Sequence, residues 1–268
     1  MSYKIGIIGK GYVGGAMYEN FKDFFNIEVY DTDPDKKTKN LEDLVRWAQI
    51  IFVSVPTPMH PSNGSCDISI VESAIKNIAE IDKSKIVVIK STVPPGTTER
   101  LSKETGMTIC FNPEFLTEAN YIQDFKYQPL IVIGSEDSNA SDVLYDLYLE
   151  FNQRVHAGGQ IVQVKTAEAE MFKYLANCFL ATKVTFLNEM YRLCKTVGVN
   201  YNAVADIAKM DKRLGHTHWK VPGPDGKLGY GGSCFPKDMN ALASFADDAG
   251  NTLWLVTEAI YINNDIRK

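Results

Sequence analysis

Lys4-Ile5-Gly6-Ile7-Ile8-Gly9-Lys10-Gly11-Tyr12-Val13-Gly14, near the start of the 268-residue chain, decides the fold. Lys4 to Ile8 is an apolar run of strand length, and it enters a G-x-G-x-x-G turn followed by a helical stretch expected from Gly15 to about Phe24. In that context each glycine has a separate use. Gly9 makes the tight turn, Gly11 lets a pyrophosphate approach the backbone, and Gly14 allows helix and strand to pack closely, with the phosphates on the helix N-terminus. The next apolar run, Ile27-Glu28-Val29-Tyr30, ends in Asp31. That position, about twenty residues beyond the glycines, is where an acid accepts the hydroxyls of an adenosine ribose. Gly9, Gly11, Tyr12, Val13, Gly14 and Asp31 are therefore the expected dinucleotide contacts.

The alternation continues. Strands are expected at Ile50–Val55, Ile86–Ile89, Ile109–Phe111 and Leu130–Ile133, with helices at about Leu41–Trp47, Ile68–Ile81 and Thr97–Glu104. Such a pattern means an α/β fold, a Rossmann-like doubly wound parallel sheet. The expected strands run into Pro56-Thr57-Pro58, Ser91-Thr92-Val93-Pro94-Pro95-Gly96 and Asn112-Pro113-Glu114-Phe115-Leu116. Ligands bind at that edge of an open sheet, which makes Thr57 a candidate cofactor contact. A helix near Ser141–Phe151 and a strand at Ile161–Val164 close a first domain, residues 1–164.

The period then changes. From Thr166 to about Val197 apolar residues recur at helical spacing, at Met171, Leu175, Phe179, Phe186, Met190, Leu193 and Val197. A helix of that length spans roughly 45 Å. It founds an all-helical middle domain, residues 165–268, and its excess of apolar positions suggests burial on two sides, as in a homodimer. Lys173 and Asn177 are four residues apart on it, share a face, and can point at one oxygen. Shorter helices are expected at about Asn202–Met210, Lys237–Ala249 and Leu253–Ile266, packed on the long one.

Between them lies Gly229-Tyr230-Gly231-Gly232-Ser233-Cys234-Phe235-Pro236-Lys237-Asp238. Gly231 and Gly232 leave room beside Cys234 for a ligand to touch backbone. Pro236 suits the first turn of a helix, which would put Cys234 at a helix N-terminus, where the dipole favours a thiolate. Lys237 adds a second positive influence and Asp238 a carboxylate.

Composition bounds the alternatives. With 45% hydrophobic and 23% charged residues the chain reads as an ordinary globular protein, and its net charge of −5 argues against nucleic-acid binding. Its apolar runs are strand-length, so no membrane span is expected, and the glycines that interrupt the first of them leave no signal-peptide core. Five cysteines show neither a paired framework nor zinc spacing, which fits a reducing cytoplasm. His216 and His218 have no companion ligands at metal spacing, and no metal is expected.

The glycine turn, V-P-T-P, S-T-V-P-P-G-T-T-E, F-N-P-E-F-L and G-G-S-C-F-P-K-D, in this order, resemble the UDP-glucose/GDP-mannose dehydrogenase family over nearly the whole chain. The resemblance implies NAD as cofactor and a nucleotide sugar as substrate, oxidised twice at C6, with UDP-glucose to UDP-glucuronate as the foremost case. It makes Cys234 the nucleophile, Lys173 and Asn177 the donors to a developing oxyanion, Asp238 a proton-managing acid, Glu114 a participant in thioester hydrolysis, and Thr92 a neighbour of the reacting centre and of the cofactor. Glu118 falls on a family site position shared by cofactor and substrate. Phe115, Leu116, Tyr230, Gly231 and Lys237 line the substrate, and Arg213 matches an arginine that reaches a neighbouring subunit's substrate. Departures are Cys66, in a loop where another residue is expected, and the lengthened approach Val221–Lys227. The family's third, nucleotide-holding domain is expected to be absent, or supplied by a separate chain. The competing reading is a non-catalytic NAD-binding subunit.

Overall fold

A computed structural model describes residues 3–268. It forms two compact units: one up to Pro58 and over Asp67–Lys173, the other Met59–Cys66 and Tyr174–Lys268.

The first unit carries a seven-stranded sheet. In chain order its strands are β1 (Lys4–Ile8), β2 (Asn26–Tyr30), β3 (Ile50–Val53), β4 (Ile86–Ile89), β5 (Thr108–Phe111), β6 (Leu130–Gly134) and β7 (Gln160–Val164), arranged β2-β1-β3-β4-β5-β6-β7. The first five are parallel, with Ile7 opposite Val29 on one side and Phe52 on the other. Alternate strand residues go to opposite faces, as a two-residue period requires. Ile5, Ile7, Phe52 and Val88 pack with Met17 and Phe21 of α1 (Tyr12–Phe21) and with Leu144 and Phe151 of α6 (Ser138–Val155). Ile51, Val53, Val87 and Ile89 pack with Leu44 of α2 (Leu41–Trp47), Val71 and Ile75 of α3 (Ser69–Ile81) and Leu101 of α4 (Thr97–Thr105). Both faces are covered, so the strands are near-continuous apolar runs.

Two details differ from the sequence reading. The sheet is not parallel throughout: β6 meets β5 antiparallel, with Phe111 opposite Gly134, and β7 then runs parallel to β6. A parallel crossover needs a connection that returns across the sheet. Here much of the connecting segment is loop, and its six-residue helix α5 (Tyr121–Lys126) sits against α1, with the Tyr121 ring 5.4 Å from that of Tyr12 and Ile122 O accepting from Asn20 Nδ2 at 3.0 Å. Helix α1 also starts at Tyr12, within the glycine motif, because Gly11 is already its extended N-cap.

Helix α7 (Thr166–Thr196) begins in the first unit and continues into the second. There its Tyr174, Cys178 and Ala181 pack with Met239 and Leu242 of α9 (Phe235–Asp248) and Ala259 of α10 (Trp254–Ile266). The later helices thus pack on the long one as expected, but on a face other than that of Met171, Leu175, Phe179, Phe186, Leu193 and Val197, which are exposed. A second cluster joins Leu187 and Cys194 to Tyr201 and Ala205 of α8 (Tyr201–Ala208) and to Trp219 and Val221 of the following loop. Among the described residues no helix is long and apolar enough to cross a membrane.

Candidate active site

The glycine turn of the first unit is built as its spacing requires. Gly9 has φ +90°, and its N–H donates to Tyr30 O at 2.9 Å, tying the turn to the end of β2. A Cβ on Gly14 would lie 1.9 Å from Gly9 O, so only glycine fits. Gly11 is the opposite case: a Cβ there would meet nothing within 4 Å, which leaves its backbone approachable. No side chain caps α1, so its first N–H groups remain available to an anion. The Lys10 N–H donates to Asp31 Oδ2 at 2.6 Å and the Asp33 N–H to Asp31 Oδ1 at 2.9 Å. Burial works to raise the Asp31 carboxyl, but these backbone donors and Lys36 outweigh it and hold it below its ordinary value. Tyr12 is exposed, Val13 half-buried and Thr57 buried. A cradle of open backbone N–H groups beside an ionised acid fits a dinucleotide.

The strand-edge loops converge on buried polar chemistry. Lys90, directly after β4, is 2% exposed, and its Nζ donates to Asn112 Oδ1 at 2.7 Å. Tyr148 Oη of α6 donates to the same oxygen, and Asn112 Nδ2 donates to Val132 O at 2.6 Å. Burial brings the Lys90 amine down to about 7, with Lys173 adding to the fall and Glu114 opposing it. Two residues beyond Asn112, Glu114 receives the Lys173 ammonium on its main-chain oxygen and, at 3.2 Å, on Oε1, while its Oε2 accepts the Leu116 N–H at 2.7 Å. Burial would raise this carboxyl, but Lys173, the Leu116 N–H and Lys90 together hold it low, so Glu114 is a carboxylate at neutral pH. The Phe115 ring lies 5.1 Å from Lys173 Nζ and packs on Phe172. Thr92 is buried in the loop whose end is fixed by Glu170 of α7, which accepts from the Gly96 N–H at 2.6 Å and the Thr98 N–H at 2.8 Å. Glu118 is exposed.

In the second unit Cys234 is the N-cap residue of α9, with Pro in the first turn. Its main-chain oxygen accepts the Asp238 N–H at 2.9 Å, so thiol and carboxylate belong to one helical turn. Asp238 is 1% exposed and held from two sides: Asn177 Nδ2 donates to Oδ2 at 2.6 Å, and the Lys237 ammonium pairs with Oδ1. Tyr230 is buried and packs on Phe235, Gly231 is half-buried and Gly232 has φ +79°. Arg213 is exposed and folds onto Asp211, with Nε 2.9 Å from Oδ1. Nearby Cys178 is a different kind of thiol, pushed up to about 12 by burial and then by Asp238.

Within the first unit the structure thus groups Glu114, Phe115, Leu116 and Lys173, and within the second Asn177, Tyr230, Cys234, Lys237 and Asp238. Lys173 and Asn177 are each engaged with a carboxylate of their own unit rather than aimed at one open oxygen. Arg213, paired with Asp211, and Glu118 are both exposed. Sequence reasoning missed Lys90, Asn112, Tyr148 and Glu170, of which Lys90 had one available signal: a charge at the end of the apolar run Ile86–Ile89.

Family models match both parts of this layout. The NAD-binding domain of the UDP-glucose/GDP-mannose dehydrogenase family matches residues 35–152, and the central domain of the same family matches residues 167–265. The chain belongs to this family. It is 37% identical over 227 residues to the UDP-glucose 6-dehydrogenase YwqF of Bacillus subtilis, a match covering 81% of this chain and 49% of that protein. The chain spans about half the length of the curated relatives it matches. Among solved structures, a UDP-glucose dehydrogenase from the archaeon Pyrobaculum islandicum superposes with a TM-score of 0.87 at 29% identity, over 99% of this chain and 68% of that one. A 3-hydroxyisobutyrate dehydrogenase from Mycobacterium tuberculosis shares the fold at TM-score 0.76 and 17% identity, covering 99% of this chain and 94% of that one. NAD is the cofactor for which the family's first domain is named.

Proposed function

We propose that this protein oxidises the C6 alcohol of a nucleotide sugar twice, with UDP-glucose giving UDP-glucuronate, through a covalent adduct on Cys234. The observation that carries the reading is the placement of Cys234 at the N-cap of α9 with Asp238 one turn on, clamped by Asn177 and Lys237. A helix N-terminus favours a thiolate. That thiolate adds to the intermediate aldehyde to give a thiohemiacetal, whose oxidation leaves a thioester that water cleaves to the acid. NAD, held by Gly9, Gly11, Tyr12, Val13, Gly14 and Asp31 with Thr57, Thr92 and Glu118, supplies the hydride acceptor.

Lys173 and Asn177, one turn apart on α7, would donate to the oxygen that becomes anionic, exchanging their present carboxylate partners for it. Asp238 would pass protons through water. Glu114, held ionised, would activate the water that opens the thioester. Phe115, Leu116, Tyr230, Gly231 and Lys237 would line the sugar. The exposed apolar residues of α7 support a homodimer, across which Arg213 would reach the second copy's substrate. The composition suits the cytoplasm. The deciding experiment is NADH release against a panel of UDP- and GDP-sugars. Two NADH per sugar are expected with a UDP-hexose; one per substrate points to a single-step alcohol dehydrogenase. Intact NAD binding without turnover on any sugar points to a non-catalytic subunit.

A further inference from the structure

The main chain that leads into Cys234 is held by side chains that the reaction itself does not use. Asn263 of α10, 3% exposed, takes the Tyr230 N–H on Oδ1 at 2.7 Å and gives Nδ2 to Tyr230 O at 3.1 Å, engaging both polar groups of one residue as a neighbouring strand would. Asn188 of α7, 1% exposed, accepts the Gly229 N–H at 2.9 Å. Arg267, the residue following α10, donates from Nη1 to Leu228 O at 3.1 Å and Gly229 O at 3.3 Å, and from Nη2 to Asp225 Oδ2 at 2.6 Å. The fit is close from the other side too. A Cβ on Gly229 would lie 2.4 Å from Asn263 Oδ1, and one on Gly231 would lie 2.4 Å from Arg267 Nη2.

Gly231, Gly232 and Ser233 alone separate this clamped segment from Cys234. Two glycines in succession have the largest conformational freedom to lose, and nothing in their own side chains fixes them. Their path must be set from outside, and Asn263 with Arg267 holds the three residues, Leu228 to Tyr230, that lead into them. We propose that Asn263 and Arg267 are positioning residues that hold the glycine turn so that the Cys234 thiol stays at the mouth of α9. The proposal rests on the reading of Cys234 as the nucleophile. Neither residue is a catalytic residue: each acts through the backbone of residues 228–230.

The test uses the full chain with Arg267→Met, Arg267→Lys and Asn263→Ala, and the Cys234→Ser variant as the baseline for alkylation. Iodoacetamide modification of Cys234 is followed by peptide mass mapping across pH, beside kcat, KM and the dissociation constant for NADH. Arg267→Met is expected to lower kcat tenfold to a hundredfold, the usual effect of displacing a reacting group by about 1 Å. It should move the alkylation profile to higher pH as the thiol leaves the cap, with NADH binding unchanged. Arg267→Lys keeps a charge but has a single nitrogen, so it cannot serve the Leu228 and Gly229 carbonyls and Asp225 together as Nη1 and Nη2 do, and should fall between. Asn263→Ala strands two backbone groups and should shift the profile further. Should it fail to fold, the Arg267 pair decides alone. An Arg267→Met protein with the wild-type alkylation profile and kcat overturns the proposal, even if its melting temperature falls. Full two-step activity in Cys234→Ala overturns instead the reading of the nucleophile on which it rests.

Discussion

The Lys10 N–H and the Asp31 carboxylate are joined at 2.6 Å, so the glycine turn and the acid that ends β2 form one rigid corner. The bond fixes Asp31 and keeps it ionised, against the burial that would raise it. A 2′-phosphate on the adenosine ribose would bring like charge against it. Two unit charges about 4 Å apart repel by roughly 4 kcal/mol at an effective dielectric of 20, and solvent screening leaves part of that. The expected outcome is a dissociation constant for NADPH at least tenfold weaker than for NADH by fluorescence titration. Asp31→Asn should narrow the gap. Equal affinities in the wild type would show that the corner does not read the ribose.

Cys234→Ala is expected to abolish acid formation while leaving NADH affinity within twofold, because the thiol serves the covalent route alone. Stoichiometric alkylation should do the same. Cys110 and Cys178 should not compete, being buried and pushed up to about 11 and about 12, whereas Cys66 is half-buried like Cys234 and must be distinguished from it by peptide mapping. Two NADH released per sugar at normal rate by the alanine variant would end the covalent reading.

What was legible in the sequence was what repeats or has a local cause. Apolar runs of strand length gave the strands, the helical period gave most of the helices, and the glycine spacing gave the turn after β1. Pro236 located the start of α9 and so the cap position of Cys234. The direction of β6 was not legible, because α5 is too short for its periodicity to stand out and its docking on α1 is a tertiary fact. Side chains that bond backbone far along the chain were equally hidden. Asn263 meets Tyr230 across 33 residues, Glu170 meets Thr98 across 72, and neither leaves a pattern in its own neighbourhood. The partners of Lys173 and Asn177 were hidden too: their shared helix face could be read, but not that Glu114 and Asp238 occupy them.

Along α7 the side chains of Leu175, Phe179, Phe186 and Leu193 are each more than half exposed. Three of them recur every seven residues, the spacing of a helix seam. A second copy packed on this stripe by twofold symmetry would bury each residue twice. Burying a Phe stabilises by about 2 to 3 kcal/mol, so Phe186→Glu should remove roughly 5 kcal/mol from the dimer and weaken it more than a thousandfold. Light scattering at micromolar concentration is expected to show a dimer for the wild type and a monomer for the variant. A wild-type monomer with full activity would contradict the proposed assembly and the role given to Arg213.

Lys90 offers a prediction in which the sign matters as much as the size. Its amine is buried beside Asn112 and brought down to about 7 by desolvation, against about 10.4 for an unfolded lysine. Between those values the unfolded chain holds more protons than the folded one, so stability rises with pH across that window and is lost as pH falls through about 7. The span corresponds to something of order 4 kcal/mol. Lys90→Met keeps the length of the side chain and removes the ionisable group, while Tyr148 still donates to Asn112 Oδ1. The variant should therefore be more stable than the wild type at pH 6, and the difference should shrink toward zero by about pH 10. Urea unfolding of both proteins at pH 6, 8 and 9.5 measures it. Catalysis should move the other way, because Lys90 is one of the charges holding Glu114 ionised. If the variant is less stable at pH 6 than at pH 9.5 relative to the wild type, Lys90 is a charged, favourably paired group, and its burial stabilises the fold.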